Sequence, residues 1–514
     1  MKFLSKYAII TFNIAYHRQK TVCLFNIFQM GAGSCLILEE RFILMKLIQK
    51  AQRSIIFLIK ILMFICLFIG FFGPYFPSMA IHLFKFTRVT AVTALTFAVS
   101  GLAFIKIYGG FAVGQKKSKE ITYSVFLAAL ITDFITYLQF SIMVKQFLNI
   151  GILLLILVIH YLTVFVFARF GNFVYFKINP PEKCAVFYDP ETTPLDEYLK
   201  KIGKYKKQYK VNEIVDYRNE SEYRAVVRRN DSVFLFNIPV REKTELIDYC
   251  YKRSKNIYSL PEISDVIINH SQQVMLDDTV LLATTQTELT FEQKIIKRVV
   301  DIVLSGIGII IASPIMLLEA IAIKLEDHGP VLFKQERITK NGKTFKVLKF
   351  RTMIVDADKM DQHLARVNDN RITKVGAVLR KLRIDELPQL INIFLGDMSI
   401  VGPRPEQLRY VEKFAEMYPE FKYRHRVKAG LTGLAQIAGK YNTSPKDKLM
   451  LDLMYIEKYS IWLDFKLMFQ TLKVLFKSDS TEGFAQEEKE QEDAAEDGVE
   501  FIKHEDTASH QEAE

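Results

Sequence analysis

Cysteine is scarce in this chain, with five among 514 residues. Cys23, Cys35, Cys66, Cys184 and Cys250 lie far apart, with no CxxC spacing and no histidine cluster beside them. That excludes a disulfide framework and a cysteine-built zinc site. Tryptophan is rarer still, a single Trp462. Residues 1–44 contain apolar patches but lack both a well-formed span and a small-residue cleavage site, so a secretory signal is not expected there. Met45 opens a basic-then-apolar segment and is an alternative start. Acidic residues are thin except at the end: the segment after Lys477 carries about twelve net negative charges and leaves the remainder near +23. Its run Gln486-Glu-Glu-Lys-Glu-Gln-Glu-Asp493 predicts a disordered acidic tail over 478–514.

What the chain has in abundance is apolar length, since half of its residues are hydrophobic. Runs at 54–73, 91–110, 124–144 and 150–170 are each long enough to cross the hydrocarbon layer. They predict a four-helix transmembrane region over 45–170. Lys60, Lys106 and Asp133 interrupt three of these runs and are read as snorkelling or buried between helices. Lys46, Lys50 and Arg53 precede the first run, and Lys116, Lys117 and Lys119 lie between the second and third, against only Lys145 in the third loop. The excess places both termini in the cytoplasm, with Lys85 and Arg88 in the first loop as counter-evidence. The positive remainder suits anionic lipid headgroups and phosphorylated ligands, and a chain so given over to membrane argues against nucleic acid.

Over 171–285 the pattern changes to short apolar strands, Cys184-Ala-Val-Phe-Tyr188, Val211-Asn-Glu-Ile-Val215 and Val233-Phe-Leu-Phe-Asn237, with amphipathic helices at 195–206 and 242–253 between them. Strands alternating with helices predict a small Rossmann-like α/β domain. The turn after its first strand, Asp189-Pro-Glu-Thr-Thr193, lacks the glycines that let a backbone approach a pyrophosphate, so a structural or regulatory module is expected.

A fifth apolar run, 299–323, has Ser313-Pro314 at its middle and basic residues on both flanks: Lys294, Lys297 and Arg298 before, Lys324 after. Proline removes a helical hydrogen bond, and the serine hydroxyl can satisfy a freed carbonyl. With both flanks held on one side, the expectation is a re-entrant helix-break-helix over 295–324, against the alternative of a fifth kinked span.

Next come Gly329-Pro-Val-Leu-Phe-Lys-Gln-Glu-Arg337, Asn341-Gly-Lys343 and Lys346-Val-Leu-Lys-Phe-Arg-Thr-Met353, read as a basic β-hairpin turning at Asn341-Gly342. It crowds Lys334, Arg337, Lys349 and Arg351 ahead of a carboxylate pair, Asp385-Glu386, and of Arg404, stiffened between Pro403 and Pro405. Asp385 precedes Leu387-Pro388 and an apolar run, and so reads as the N-cap of a short helix. The stretch 449–476, with Tyr455, Tyr459 and Trp462 among apolar residues and lysines, reads either as an interfacial anchor or as an ordinary core helix.

From about Phe291 to Lys477 the chain resembles the bacterial sugar transferases, the monotopic phosphoglycosyl transferases. The resemblance is carried by Ser313-Pro314, Gly329-Pro330 with Phe333-Lys-Gln-Glu-Arg337, Lys349-Phe-Arg-Thr-Met353, Asp385-Glu-Leu-Pro-Gln389, Gly402-Pro-Arg-Pro405 and Gly430-Leu-Thr-Gly-Leu434, in that order. Residues 1–44 and the acidic tail fall outside it. The resemblance implies an α+β catalytic domain over 286–477 that moves a hexose 1-phosphate from a UDP-sugar to undecaprenyl phosphate, initiating exopolysaccharide, capsule or O-antigen synthesis. Asp385 matches the family nucleophile that expels UMP and forms a phosphosugar carboxyl anhydride. Glu386 matches the second member of the dyad and is assigned either to Mg²⁺ positioning or to activating the acceptor, with Asp385 and Glu386 as the expected metal ligands. Arg404, between Pro403 and Pro405, matches the nucleotide-contacting segment, Lys349 and Arg351 are assigned to phosphate, and Arg337 and Arg383 to substrate binding. The implied setting is the cytoplasmic face of a bacterial inner membrane, with homo-oligomerisation left open. A metal-dependent glycosyltransferase releasing UDP, and a non-catalytic scaffold of a polysaccharide assembly complex, are the competing readings.

Overall fold

The apolar runs of the first half fold as four helices in a computed structural model that describes residues 53–75, 88–284, 289–355, 357, 371–439 and 443–475. The expectations for 1–44, Met45, Lys46, Lys50, Lys85 and the tail 478–514 lie outside these residues. The helices are α1 (Arg53–Tyr75), α2 (Arg88–Tyr108), α3 (Ser118–Val144) and α4 (Ile150–Ile178). With a later one they make five helices, among the described residues, long and apolar enough to cross a membrane. The chain divides into two compact units, Met1–Leu260 and Pro261–Glu514.

In the first unit aromatic rings fill the space between helices: Phe71 lies 5.3 Å from Phe97 and 5.6 Å from Tyr75, centroid to centroid. Asp133 is fully buried, with His160 Nδ1 2.8 Å from its Oδ2, while His160 Nε2 reaches the carbonyl of Leu67 at 2.8 Å. This buried polar pair ties three helices together, while Asp133 Oδ1 has no hydrogen-bond partner among the described residues. Beyond them run β1 (Glu182–Tyr188), α5 (Leu195–Gly203), β2 (Tyr209–Asp216), α6 (Glu220–Arg229), β3 (Ser232–Phe236), α7 (Val240–Tyr251) and β4 (Asn256–Ser259). The strands form one parallel sheet in the order β2-β1-β3-β4. A central parallel strand is covered on both faces, which is why Cys184, Ala185, Val186 and Phe187 run as an unbroken apolar stretch with no exposed surface. The turn after β1 is filled by its own side chains: Asp189 accepts from Glu191 N and Thr192 Oγ1, and Asn237 Nδ2 donates to the Thr192 carbonyl at 3.1 Å.

The second unit opens with α8 (Ile263–Ile268) and the hairpin β5 (Gln272–Leu276) to β6 (Thr279–Ala283), followed by the 37-residue α9 (Phe291–Asp327). Thr290 and Gln293 start α9 with a reciprocal capping box. The chain then forms β7 (Leu332–Ile338), β8 (Thr344–Phe350), α10 (Lys374–Leu382), α11 (Gln389–Leu395), β9 (Ser399–Val401), α12 (Leu408–Met417), β10 (Gly430–Thr432), α13 (Leu434–Ala438), α14 (Pro445–Glu457) and α15 (Ile461–Leu475). Strands β7 and β8 pair antiparallel across a turn where Asn341 (φ 58°) and Gly342 (φ 74°) take left-handed conformations. Val401, Phe421, Leu449, Leu453, Tyr455 and Leu467 form the main core.

Helix α9 departs from the expected helix-break-helix, because helical backbone continues through Pro314. The reason lies one residue earlier: Ser313 Oγ donates to the Ile310 carbonyl at 2.8 Å, the acceptor that proline's missing N–H leaves unpaired. Both halves of α9 pack on the same unit. Lys297 Nζ reaches Asp464 and Asp301 Oδ1 accepts from Ile400 N and Ser399 Oγ in the first half, whereas Met316, Ala320 and Ile323 join Phe350 and Leu379 in the second. The 449–476 stretch divides between its two readings, since Tyr455 is buried in the core while Trp462 is 82% exposed.

Candidate active site

The carboxylate pair sits where two helices fail to join. Helix α10 ends at Arg383, whose φ of 56° reverses the chain, and Ile384–Glu386 form one 3₁₀ turn before α11 starts. Asp385 is therefore not the N-cap expected of it. Pro388 occupies that position and no side chain caps α11, because the left-handed Arg383 spends the intervening residues on a tighter turn. The turn instead points the two carboxylates at different surroundings.

Glu386 is clamped. Lys349 Nζ, on the penultimate residue of strand β8, donates to its Oε1 at 2.7 Å, and Arg404 Nη2 donates to the same oxygen at 3.1 Å. Burial opposes ionisation of Glu386, but the two cations outweigh it and hold its carboxyl well below the usual carboxylate range. Asp385 receives no hydrogen bond from any described residue. Burial, reinforced by the neighbouring Glu386 charge, raises its pKa above the ordinary aspartate value, while Lys349, Arg380 and Arg404 limit the rise. One carboxylate is thus held by two cations, and its neighbour has no hydrogen-bonding partner among the described residues although three cations lie near it.

Arg404 is aimed by its backbone. Arg337 Nη1 donates to the Pro405 carbonyl at 3.2 Å and Arg424 Nη2 to the Arg404 carbonyl at 3.0 Å, while the Pro403 carbonyl accepts from Gly430 N at 2.8 Å. This last contact needs glycine on both sides, since a Cβ on Gly430 would lie 2.1 Å from Gly402 N. Arg424 is 2% exposed and pairs with Asp452 at 2.7 Å, itself 1% exposed. Burial raises Asp452 to about 6 against the lowering effect of Arg424. Burial also lowers Arg337, to about 10, and Arg383.

Of the residues singled out in the sequence, Asp385, Glu386, Lys349 and Arg404 come together. Arg337, Pro403 and Pro405 shape the loop behind Arg404. Arg351 is drawn elsewhere, 7% exposed and hydrogen-bonded to Asp327 at the end of α9. Ser313 and Pro314 lie within α9. Sequence reasoning missed Asp327, Arg424, Asp452 and Glu406, the last of which lies 3.8 Å from Arg337 and 3.9 Å from Arg424; all four stand outside the quoted motifs. It also missed Glu319 of α9, 4% exposed, with neither oxygen hydrogen-bonded to a described residue. Interrupting an apolar helix was its only signal.

Among the described residues no three His, Cys, Asp or Glu side chains gather as a metal cluster. The available oxygens are those of Asp385 and the outer oxygen of Glu386. This set suits a hard, mostly hydrated cation completed by phosphate oxygens, as Mg²⁺ prefers.

The fold and the site together define a chain of membrane-length helices carrying a cationic carboxylate-pair centre. It belongs to the bacterial sugar transferase family, which residues 292–478 match. It is 43% identical over 183 residues to the UDP-N-acetylgalactosamine-undecaprenyl-phosphate N-acetylgalactosaminephosphotransferase of Aeromonas hydrophila, covering 35% of this chain and 43% of that one. It is 38% identical over 223 residues to a UDP-glucose:undecaprenyl-phosphate glucose-1-phosphate transferase of Escherichia coli (42% and 48% covered). To the Caulobacter vibrioides protein of that same description it is 41% identical over 189 residues (36% and 71% covered). The chain thus spans just under half the length of the first two relatives.

Proposed function

We propose that this chain transfers a sugar 1-phosphate from a UDP-sugar to undecaprenyl phosphate, releasing UMP, at the start of extracellular polysaccharide assembly. The observation that carries the reading is the inequality of the pair, with Asp385 unpaired among the described residues and Glu386 clamped by Lys349 and Arg404. In the first step an Asp385 oxygen attacks the β-phosphorus, the bond from that phosphorus to the oxygen bridging the α-phosphate breaks, and UMP departs with the electron pair. In the second, a phosphate oxygen of the lipid attacks the same phosphorus and the Asp385 carboxylate leaves, giving the lipid diphosphate sugar. Arg404 and Lys349 balance the charge that builds on the leaving phosphate. Asp385 and Glu386 would hold Mg²⁺, which when bound neutralises diphosphate charge.

The fold reading belongs with this function. We take α1 to α4 as a four-helix membrane region over 45–170, the parallel sheet as a Rossmann-like domain within 171–285, whose residues from Pro261 on fall in the second compact unit, and α9 as a re-entrant element of the 286–477 catalytic domain, on the cytoplasmic face of the inner membrane. Contact of both halves of α9 with one unit supports re-entry, because a helix crossing the bilayer leaves its two ends on opposite sides. A polyprenol carrier stays in the bilayer, so its phosphate must meet the soluble donor at the interface. The test is incubation of detergent-solubilised protein with a panel of UDP-sugars, undecaprenyl phosphate and Mg²⁺. UMP formed with one donor is the expected product, and UDP as the sole nucleotide product would sink the mechanism.

A further inference from the structure

The end of α5, the turn after it and the start of β2 are crowded with lysine: Lys200, Lys201, Lys204, Lys206, Lys207 and Lys210 are all exposed, with Tyr205 47% exposed among them. This turn is fastened to the ends of the apolar helices. Gln208 Nε2 donates to the Gly114 carbonyl at 2.6 Å, and Lys207 Nζ lies 6.0 Å from the Phe176 ring near the end of α4. The loop that receives it is fixed in turn. Asn172 Oδ1 accepts from Gly114 N at 2.9 Å, and its Nδ2 donates to the Lys116 carbonyl and to Ser118 Oγ. Gly114 has φ 81° and packs under Tyr175, where a Cβ would come within 2.3 Å of the ring. Lys117, Lys119 and Lys177 stand exposed on the same loop and helix end. Two stretches far apart in sequence are thereby joined into one rigid basic surface level with the ends of α2, α3 and α4.

We infer that this surface binds the headgroups of anionic phospholipids and holds the parallel-sheet module flat against the bilayer. The inference rests on the reading of α1 to α4 as membrane-spanning with the α2–α3 loop in the cytoplasm. A soluble polyanion is a poorer match, because the lysines ring the helix ends where headgroups lie, and an exposed tyrosine among lysines suits the interface rather than open water. The attraction between lysine and lipid phosphate is screened by salt.

The test uses the full chain in nanodiscs of phosphatidylcholine alone or mixed with phosphatidylglycerol, reading lysine acetylation and amide exchange over residues 200–210. Several-fold slower labelling in the mixed discs, reversed by high salt and absent in a Lys204→Gln/Lys206→Gln/Lys207→Gln variant but kept in the matching lysine-to-arginine variant by amide exchange, is the expected result. Equal labelling in both kinds of disc would overturn the inference. So would the same slowing in phosphatidylcholine discs on adding inorganic phosphate or glycerol phosphate, which would mark a site for soluble anions. A chain that fails to enter discs at all would overturn the membrane reading beneath it.

Discussion

Asp385 and Glu386 are adjacent in sequence and opposite in electrostatic condition, and the difference fits the separate tasks proposed for them. A nucleophile must be ionised and uncommitted, whereas a carboxylate held by two cations is a fixture. Asp385→Asn is expected to lower turnover by about 10⁴-fold or more, as removal of a covalent nucleophile does, with the fold intact by circular dichroism. Carrier-lipid loading that is unchanged in this variant would point to the scaffold reading. The raised pKa of Asp385 also sets a pH dependence: a carboxyl that must be charged loses activity as pH falls through its own pKa, so the acid limb of the rate profile should lie above 3.8. Because Lys349 lowers that pKa, Lys349→Met should move the limb to still higher pH, and a limb that stayed put would remove Lys349 from the site's electrostatics.

Elements hold this pair in place more than residues do. The loop behind Arg404 is pinned through backbone carbonyls by Arg337 and Arg424, and Arg424 is balanced by the buried Asp452. Arg424→Met strands Asp452 in the core and is expected to cost about 3–5 kcal/mol, read by thermal unfolding in detergent, and to raise KM for the UDP-sugar. Adding Asp452→Leu should restore most of the stability without restoring KM, since the Arg404 carbonyl still lacks its donor. Helix and strand positions were legible because apolar period and turn residues are local properties, and the Asn341-Gly342 turn falls where its residues demand. The Asp385 turn was not, because nothing local marks a left-handed Arg383. The partner of Arg351 was not legible for a related reason: Asp327 stands 24 residues away, and only folding decides which carboxylate an arginine meets.

For the whole molecule, the decisive question is on which side of the bilayer each segment lies. Single cysteines replacing Lys294 and Lys324, introduced into a variant free of native cysteines, should react with an impermeant maleimide from the same side of sealed inverted vesicles if α9 re-enters. Labelling from opposite sides would make α9 a fifth span. A cysteine at Lys117 should share that side, and one at Asn149, at the start of α4, should not.

By itself the sequence determined the apolar helices, the alternation of strand and helix, and the ordered motifs that place the chain in its family, because each is written in composition or in a run of a few residues. Only the tertiary structure decided that Glu386 is clamped and Asp385 is not, that Ser313 carries α9 through its proline, and that Arg351 serves Asp327. Those outcomes depend on which charges burial brings within hydrogen-bonding distance, and spacing along the chain does not fix distance in space.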